Sequence, residues 1–234
     1  MKHLVILSYG ASGTNALVDQ LFNNDHIWVH KKKEPLNPNA KHNQDMELNN
    51  GLISWTDHIK KLIKNAGDQK LLIHLKPWHL AELNVSLEQA VDFLKDDFEF
   101  IFIERRNYLA ILCSSAFKPN SKSKKTETQA YIKADIKRLK NMSIVNSTLK
   151  YLIKDYNHVC LTYKDHIIPG PKIGADIITK HFNIYHDYDY KRYRKNYHSK
   201  TNKWSNVKLC DKIMNFKELV KEFNDTPYQW MLWE

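Results

Sequence analysis

The sequence predicts a single three-layer α/β domain, a mostly parallel sheet with helices on both faces. Three observations carry that expectation. Short apolar runs recur at Leu4–Leu7, Leu71–Leu75, Phe98–Ile103 and His158–Thr162, segments with helical spacing separate them, and the runs end in glycine or polar turns. A chain of 234 residues can bury such a sheet as one domain over 1–234, whereas two domains would leave neither half much core.

The elements follow in order. Leu4–Leu7 reads as a buried central strand because it is continuously apolar, and Ser8-Tyr9-Gly10 turns the chain out of it. Asn15 to Phe22 places Ala16, Leu17, Val18 and Leu21 at helical intervals, so strand, glycine turn and helix open the fold. Lys31 to Asn50 is polar and proline-containing and reads as a loop. Ile53 to Ala66 reads as an amphipathic helix stopped by Gly67, and Ser86 to Leu94 repeats that signal. Asn107 to Phe117 is helical, Pro119 to Thr126 is a basic loop, and Tyr131 to Tyr156 is one long helix or two with a break near Ser143. Asp176 to Phe182 and Phe216 to Phe223 close the set as helices, with a tyrosine-rich basic loop over Tyr185 to Lys203 between them.

The bulk chemistry narrows the class. At 42% hydrophobic, with six tryptophans, the chain has enough apolar surface to fold, and six glycines and seven prolines exclude a collagenous or linker-rich protein. The formal charge of +10, concentrated in Lys118 to Lys125 and Lys191 to Lys203, implies attraction to anions without naming one. Cys113, Cys160 and Cys210 are odd in number and lack a CxxC, which suits a reducing compartment. The Leu4–Leu7 run is too short for a signal-peptide core and no stretch is long enough to span a membrane, so cytoplasm is the expected location.

Two turns carry the chemistry. In Gly10-Ala11-Ser12-Gly13-Thr14-Asn15, the glycines permit a tight turn whose amides converge on a phosphate, with the helix start aimed at the same anion. The same residues are also a plain turn with a helix cap. The turn lacks the lysine of GxxxxGK[ST], and the third predicted strand ends in Glu104-Arg105-Arg106 rather than in an aspartate suited to Mg²⁺, which disfavours a metal-assisted kinase. The full GxGxxG spacing is absent, which disfavours a dinucleotide oxidoreductase. Arg106 can fork onto two phosphate oxygens, and Ser114 lies two helical turns further on. Beyond the second predicted strand, Lys76-Pro77-Trp78-His79 puts a cation and a proton acceptor where parallel sheets bind ligands.

Taken together these segments resemble the sulfotransferases that use 3′-phosphoadenosine-5′-phosphosulfate, with motif forms similar to the bacterial and carbohydrate-type members. Gly10-Ala11-Ser12-Gly13-Thr14-Asn15 resembles the family's [Pro/Gly]-[Lys/Arg]-Ser-Gly-Thr-Thr loop, with Ala11 where the basic residue stands. Arg106-Asn107 with Ser114 is similar to its 3′-phosphate element. Lys76-Pro77-Trp78-His79 resembles its Lys-x-His segment with one extra residue, Tyr163-Lys164-Asp165 its Tyr-Glu-Asp, and Asp211 to Leu219 its C-terminal segment.

The resemblance implies a P-loop nucleotide-hydrolase-like sulfotransferase fold and sulfuryl transfer from that nucleotide to a hydroxyl, on a carbohydrate or small metabolite, without a metal. It implies that Gly10 to Asn15, Arg106 and Ser114 bind the nucleotide, with late basic residues such as Arg194 and Lys195 adding to the 3′-phosphate. His79 is then the general base, and Lys76 fills the gap left by Ala11. Two other readings compete: a non-catalytic nucleotide- or nucleic-acid-binding protein, and an atypical P-loop kinase.

Overall fold

A computed structural model describes residues 1–10, 13–22, 24–30, 34–37, 53–116, 131–133, 136–185 and 208–233. The sheet is five-stranded and wholly parallel, in the order β2-β3-β1-β4-β5, with β1 His3–Ser8, β2 Ile27–Val29, β3 Lys70–Leu75, β4 Phe98–Glu104 and β5 His158–Thr162.

The continuous apolar runs are explained by burial on both faces. Val5, Leu7, Ile73, Leu75, Phe100 and Phe102 enter one core, while their alternates Leu4, Ile6, Leu72, Ile101 and Ile103 enter the other. On the first face lie α2 Trp55–Ala66, α4 Leu87–Leu94 and α6 Ile136–Ile153, through Ile59, Leu62, Val91, Leu94, Leu149 and Ile153. On the second lie α1 Thr14–Leu21 and α7 Pro171–His181, through Leu17, Val18, Leu21, Ala175 and Ile178. Removing a fully buried side chain such as Phe100 forfeits about 3–5 kcal/mol, so the layers hold each other.

Local signals set the helix boundaries. Ser54 caps α2 by accepting from the Asp57 amide, and Ser86 with Gln89 forms a reciprocal capping box on α4. A third core joins α5 Tyr108–Ala116 and α6 to the C-terminal segment through Leu109, Leu112, Met142, Leu219, Phe223 and Met231.

Several boundaries differ from expectation. β2 has only three residues, too few to show a period. The Lys76 segment continues directly into α3 Pro77–Glu82, because proline at the first helical position starts a helix as readily as it ends one. The long helix runs unbroken past Ser143. α7 begins at Pro171 rather than Asp176, again proline-initiated. The basic loop at Pro119 to Thr126 and nearly all of Tyr185 to Lys203 lie outside the described residues. Among the described residues, no helix is long and apolar enough to cross a membrane.

Candidate functional site

Strand register brings the separated motifs to one edge. Leu7 pairs with Leu75, Ser8 with Ile103, and Glu104 with Thr162, so the segments leaving β1, β3, β4 and β5 stand side by side at the carboxyl end of the sheet. The connection from β1 to β2 runs through α1 on one face, and the connection from β4 to β5 runs through α5 and then α6, which packs on the other. Opposed exits of this kind open a crevice at the strand ends.

Both glycines of the first turn are required where they stand. Gly10 has φ +46° and Gly13 φ +71°, and a Cβ on Gly13 would lie 2.3 Å from Ile167 Cγ2. Gly13 is the N-cap of α1 and brings no side chain to the helix's first amides, while its carbonyl accepts from the Ala16 and Leu17 amides. Thr14 is buried and Asn15 exposed. Ala11 and Ser12 lie outside the described residues.

Opposite this turn, the two arginines divide their roles. Arg105 is partly buried, with its guanidinium 4.2 Å from the centroid of the Tyr163 ring; burial lowers its pKa from the usual value, against an opposing influence from Tyr163. Arg106 is exposed, and its Nε donates to Glu104 at 3.2 Å. Asn107 is structural: its Oδ1 accepts from the Ala110 amide as a cap for α5, and its Nδ2 donates to the Met231 carbonyl at 3.0 Å. A cavity of about 550 Å³ opens here, lined by Arg105, Arg106, Thr162, Tyr163, Asp165 and Trp230 among others. Ser114 lies two turns along α5, its side chain outside the described residues, as are Arg194 and Lys195.

On the other side of β1 sits a polar cluster built around a carboxylate the sequence reading passed over. Glu34 pairs with Lys76, and its oxygens lie 3.8 Å from His74 Nδ1 and 3.6 Å from His79 Nε2. Burial alone would raise the Glu34 pKa, but the His79 ring, the Lys76 ammonium and the His74 ring outweigh it and hold the group well below the usual carboxylate range. His74 is wholly buried and exchanges a 2.9 Å hydrogen bond with Ser8 Oγ. Burial, together with the Lys76 charge, lowers its pKa to about 3, so it is neutral. His79 is also fully buried, and neither ring nitrogen has a partner within hydrogen-bond distance among the described residues. The ring of Trp78, 5.0 Å from Lys76 Nζ, closes the cluster against the glycine turn.

The fold therefore brings together the glycine turn, the arginines and the Lys76–His79 segment, with Lys76 occupied by Glu34 and His79 closed off behind it. Glu34 was missed because it stands in a polar run, Lys31-Lys32-Lys33-Glu34-Pro35, that reads as solvated loop; the buried Leu36 two residues on is the one signal that this loop returns to the core. Comparison with protein-family models gave no match, and comparison with curated proteins found no significant relative.

Proposed function

We propose that this chain is a sulfotransferase that moves a sulfuryl group from 3′-phosphoadenosine-5′-phosphosulfate to a hydroxyl of a carbohydrate or small metabolite. One observation carries the reading: the Ser8–Ile103 pairing sets a glycine turn, whose N-cap Gly13 brings no side chain to the helix start, beside a turn bearing two arginines, at the carboxyl edge of a parallel sheet. Two anion-binding elements so arranged can grip both phosphorylated ends of one nucleotide. The 550 Å³ cavity beside Arg105 and Arg106 falls within the usual range for small-molecule sites.

In this scheme the residues from Gly10 to Asn15 hold the 5′ end and Arg106, with Ser114, holds the 3′-phosphate. Lys76 moves from Glu34 to the bridging oxygen, supplying the cation that Ala11 does not. The acceptor oxygen bonds to sulfur as the bond from sulfur to the phosphate oxygen breaks, and the acceptor proton passes to His79. Glu34, 3.6 Å from His79 Nε2, then stabilises the resulting imidazolium. The bisphosphorylated nucleotide departs with the bond's electron pair.

The test is purified protein with radiolabelled sulfate donor and a panel of hydroxyl compounds, alongside direct titration with adenosine 3′,5′-bisphosphate. Transfer that Lys76→Met and His79→Gln abolish supports the scheme; the absence of both binding and transfer would overturn it. The complete burial of His79 favours a second reading, nucleotide binding without catalysis. Bisphosphate binding with no transfer to any acceptor selects that alternative.

A further inference from the structure

A second, smaller cavity of about 270 Å³ lies beyond Arg106, between α6 and the C-terminal segment. It is built from a polar stripe. Ser143, Asn146, Ser147 and Lys150 recur at three- and four-residue intervals, so one side of α6 presents two hydroxyls, an amide and an ammonium to it. Tyr228 and Trp230 form part of the opposite wall.

The informative residue is Asn146. It is 4% exposed, its Nδ2 donates to Tyr108 Oη at 3.2 Å, and its Oδ1 has no partner among the described residues. Turning the amide over would give Tyr108 the oxygen and leave the nitrogen unpaired instead, so one buried polar atom stays unsatisfied either way. An unmet buried group of this kind costs about 1–3 kcal/mol, and Asn146 belongs to the lining of a cavity that Lys150, Arg106 and its partner Glu104 also line.

We propose that this cavity is a binding site for a small hydroxylated anion, a sugar or polyol carrying a phosphate. A sugar's hydroxyls can exchange hydrogen bonds with the Ser143 and Ser147 hydroxyls and, once the Asn146 side chain turns toward the cavity, with its unmet amide, while Lys150 and Arg106 take the charge. The volume lies just below the range for drug-sized ligands and suits a monosaccharide-sized molecule. The site stands apart from the sulfuryl-transfer reading, but Arg106, Glu104 and Trp230 line both cavities, so occupancy of one competes for Arg106 with occupancy of the other.

The experiment is calorimetric titration of the full chain with a hexose 6-phosphate, the uncharged hexose and inorganic phosphate, each repeated on Lys150→Gln and Asn146→Leu. Lys150 is exposed, so its variant folds, and it lines only the smaller cavity. The hexose phosphate is expected to bind at least about tenfold more tightly than either fragment, and each substitution to weaken it by about tenfold. Adenosine bisphosphate binding, measured without the sugar phosphate, is expected to be unchanged in Lys150→Gln; this separates failure here from failure of the nucleotide site. Equal binding of inorganic phosphate, no binding of the hexose phosphate, or affinity indifferent to both substitutions would overturn the proposal.

Discussion

The indole of Trp78 lies where a side chain at Gly10 would have to go: a Cβ there would come 2.1 Å from Trp78 Cη2. With φ at +46°, the position is also one that L side chains rarely adopt. Gly10→Ala is therefore expected to cost about 2 kcal/mol or more, from strain and overpacking together. Adding Trp78→Ala removes the clash but not the strain. The double variant should thus be more stable than the sum of the single effects, as read by urea denaturation in a double-mutant cycle.

Asn107 joins the start of α5 to the end of the chain through one amide group. Asn107→Ala loses both a helix cap and a buried hydrogen bond, with an expected cost of about 2–3 kcal/mol. Asn107→Asp keeps the acceptor facing the Ala110 amide and loses only donation to Met231, so it should fall between alanine and wild type in thermal unfolding.

Glu34 pairs with Lys76 and lies 3.6 Å from His79 Nε2. Glu34→Gln removes a counter-charge from the largely buried Lys76 ammonium and is expected to destabilise by about 3 kcal/mol. Lys76→Met, an apolar side chain of similar length, should cost less than Glu34→Gln. The ordering is checked by denaturant midpoints at constant slope.

His74 gives the fold a pH dependence whose sign is fixed by burial. Its pKa of about 3 lies below the unfolded value of 6.5, so between those limits the unfolded chain takes up a proton that the folded chain excludes. Stability is complete above about pH 6.5 and is lost as pH falls, by up to about 1.4 kcal/mol per pH unit from this group. Denaturation at pH 7 and pH 5 should show a shallower loss in His74→Gln than in wild type.

Arg106 and Arg105 should separate binding from stability. Arg106 is exposed, so Arg106→Gln should leave the melting temperature within about 1 °C, yet weaken adenosine 3′,5′-bisphosphate by tenfold or more. Arg105→Gln removes the contact with the Tyr163 ring, which itself packs near Gly13, and should lower both stability and affinity.

What was legible in the sequence followed from period and position. Three strands, β1, β3 and β4, declared themselves because both their faces are buried, leaving apolar runs such as Leu4–Leu7, while the edge strand β5 buries Val159 and Leu161 and exposes Cys160. β2 stayed hidden because Ile27–Val29 is shorter than any pattern. Convergence of the glycine turn and the arginines was readable once both were placed at strand ends of a parallel sheet. The Glu34 cluster was not, because a contact between residues forty positions apart leaves no trace in local spacing. The role of Asn107 was hidden for the same reason: its partner, Met231, is 124 residues away.

The strand order also governs assembly during synthesis. β1 sits at the centre of the sheet, yet its hydrogen-bonding neighbours, β3 and β4, emerge from the ribosome only after it has been waiting for most of the first hundred residues. Until then His3–Ser8 is an unpaired ribbon with a continuous apolar centre, Leu4–Leu7, the kind of segment that chaperones shield and that seeds aggregates when they do not. Yield of soluble protein should therefore respond more to translation rate and chaperone supply than the stability of the finished domain would suggest.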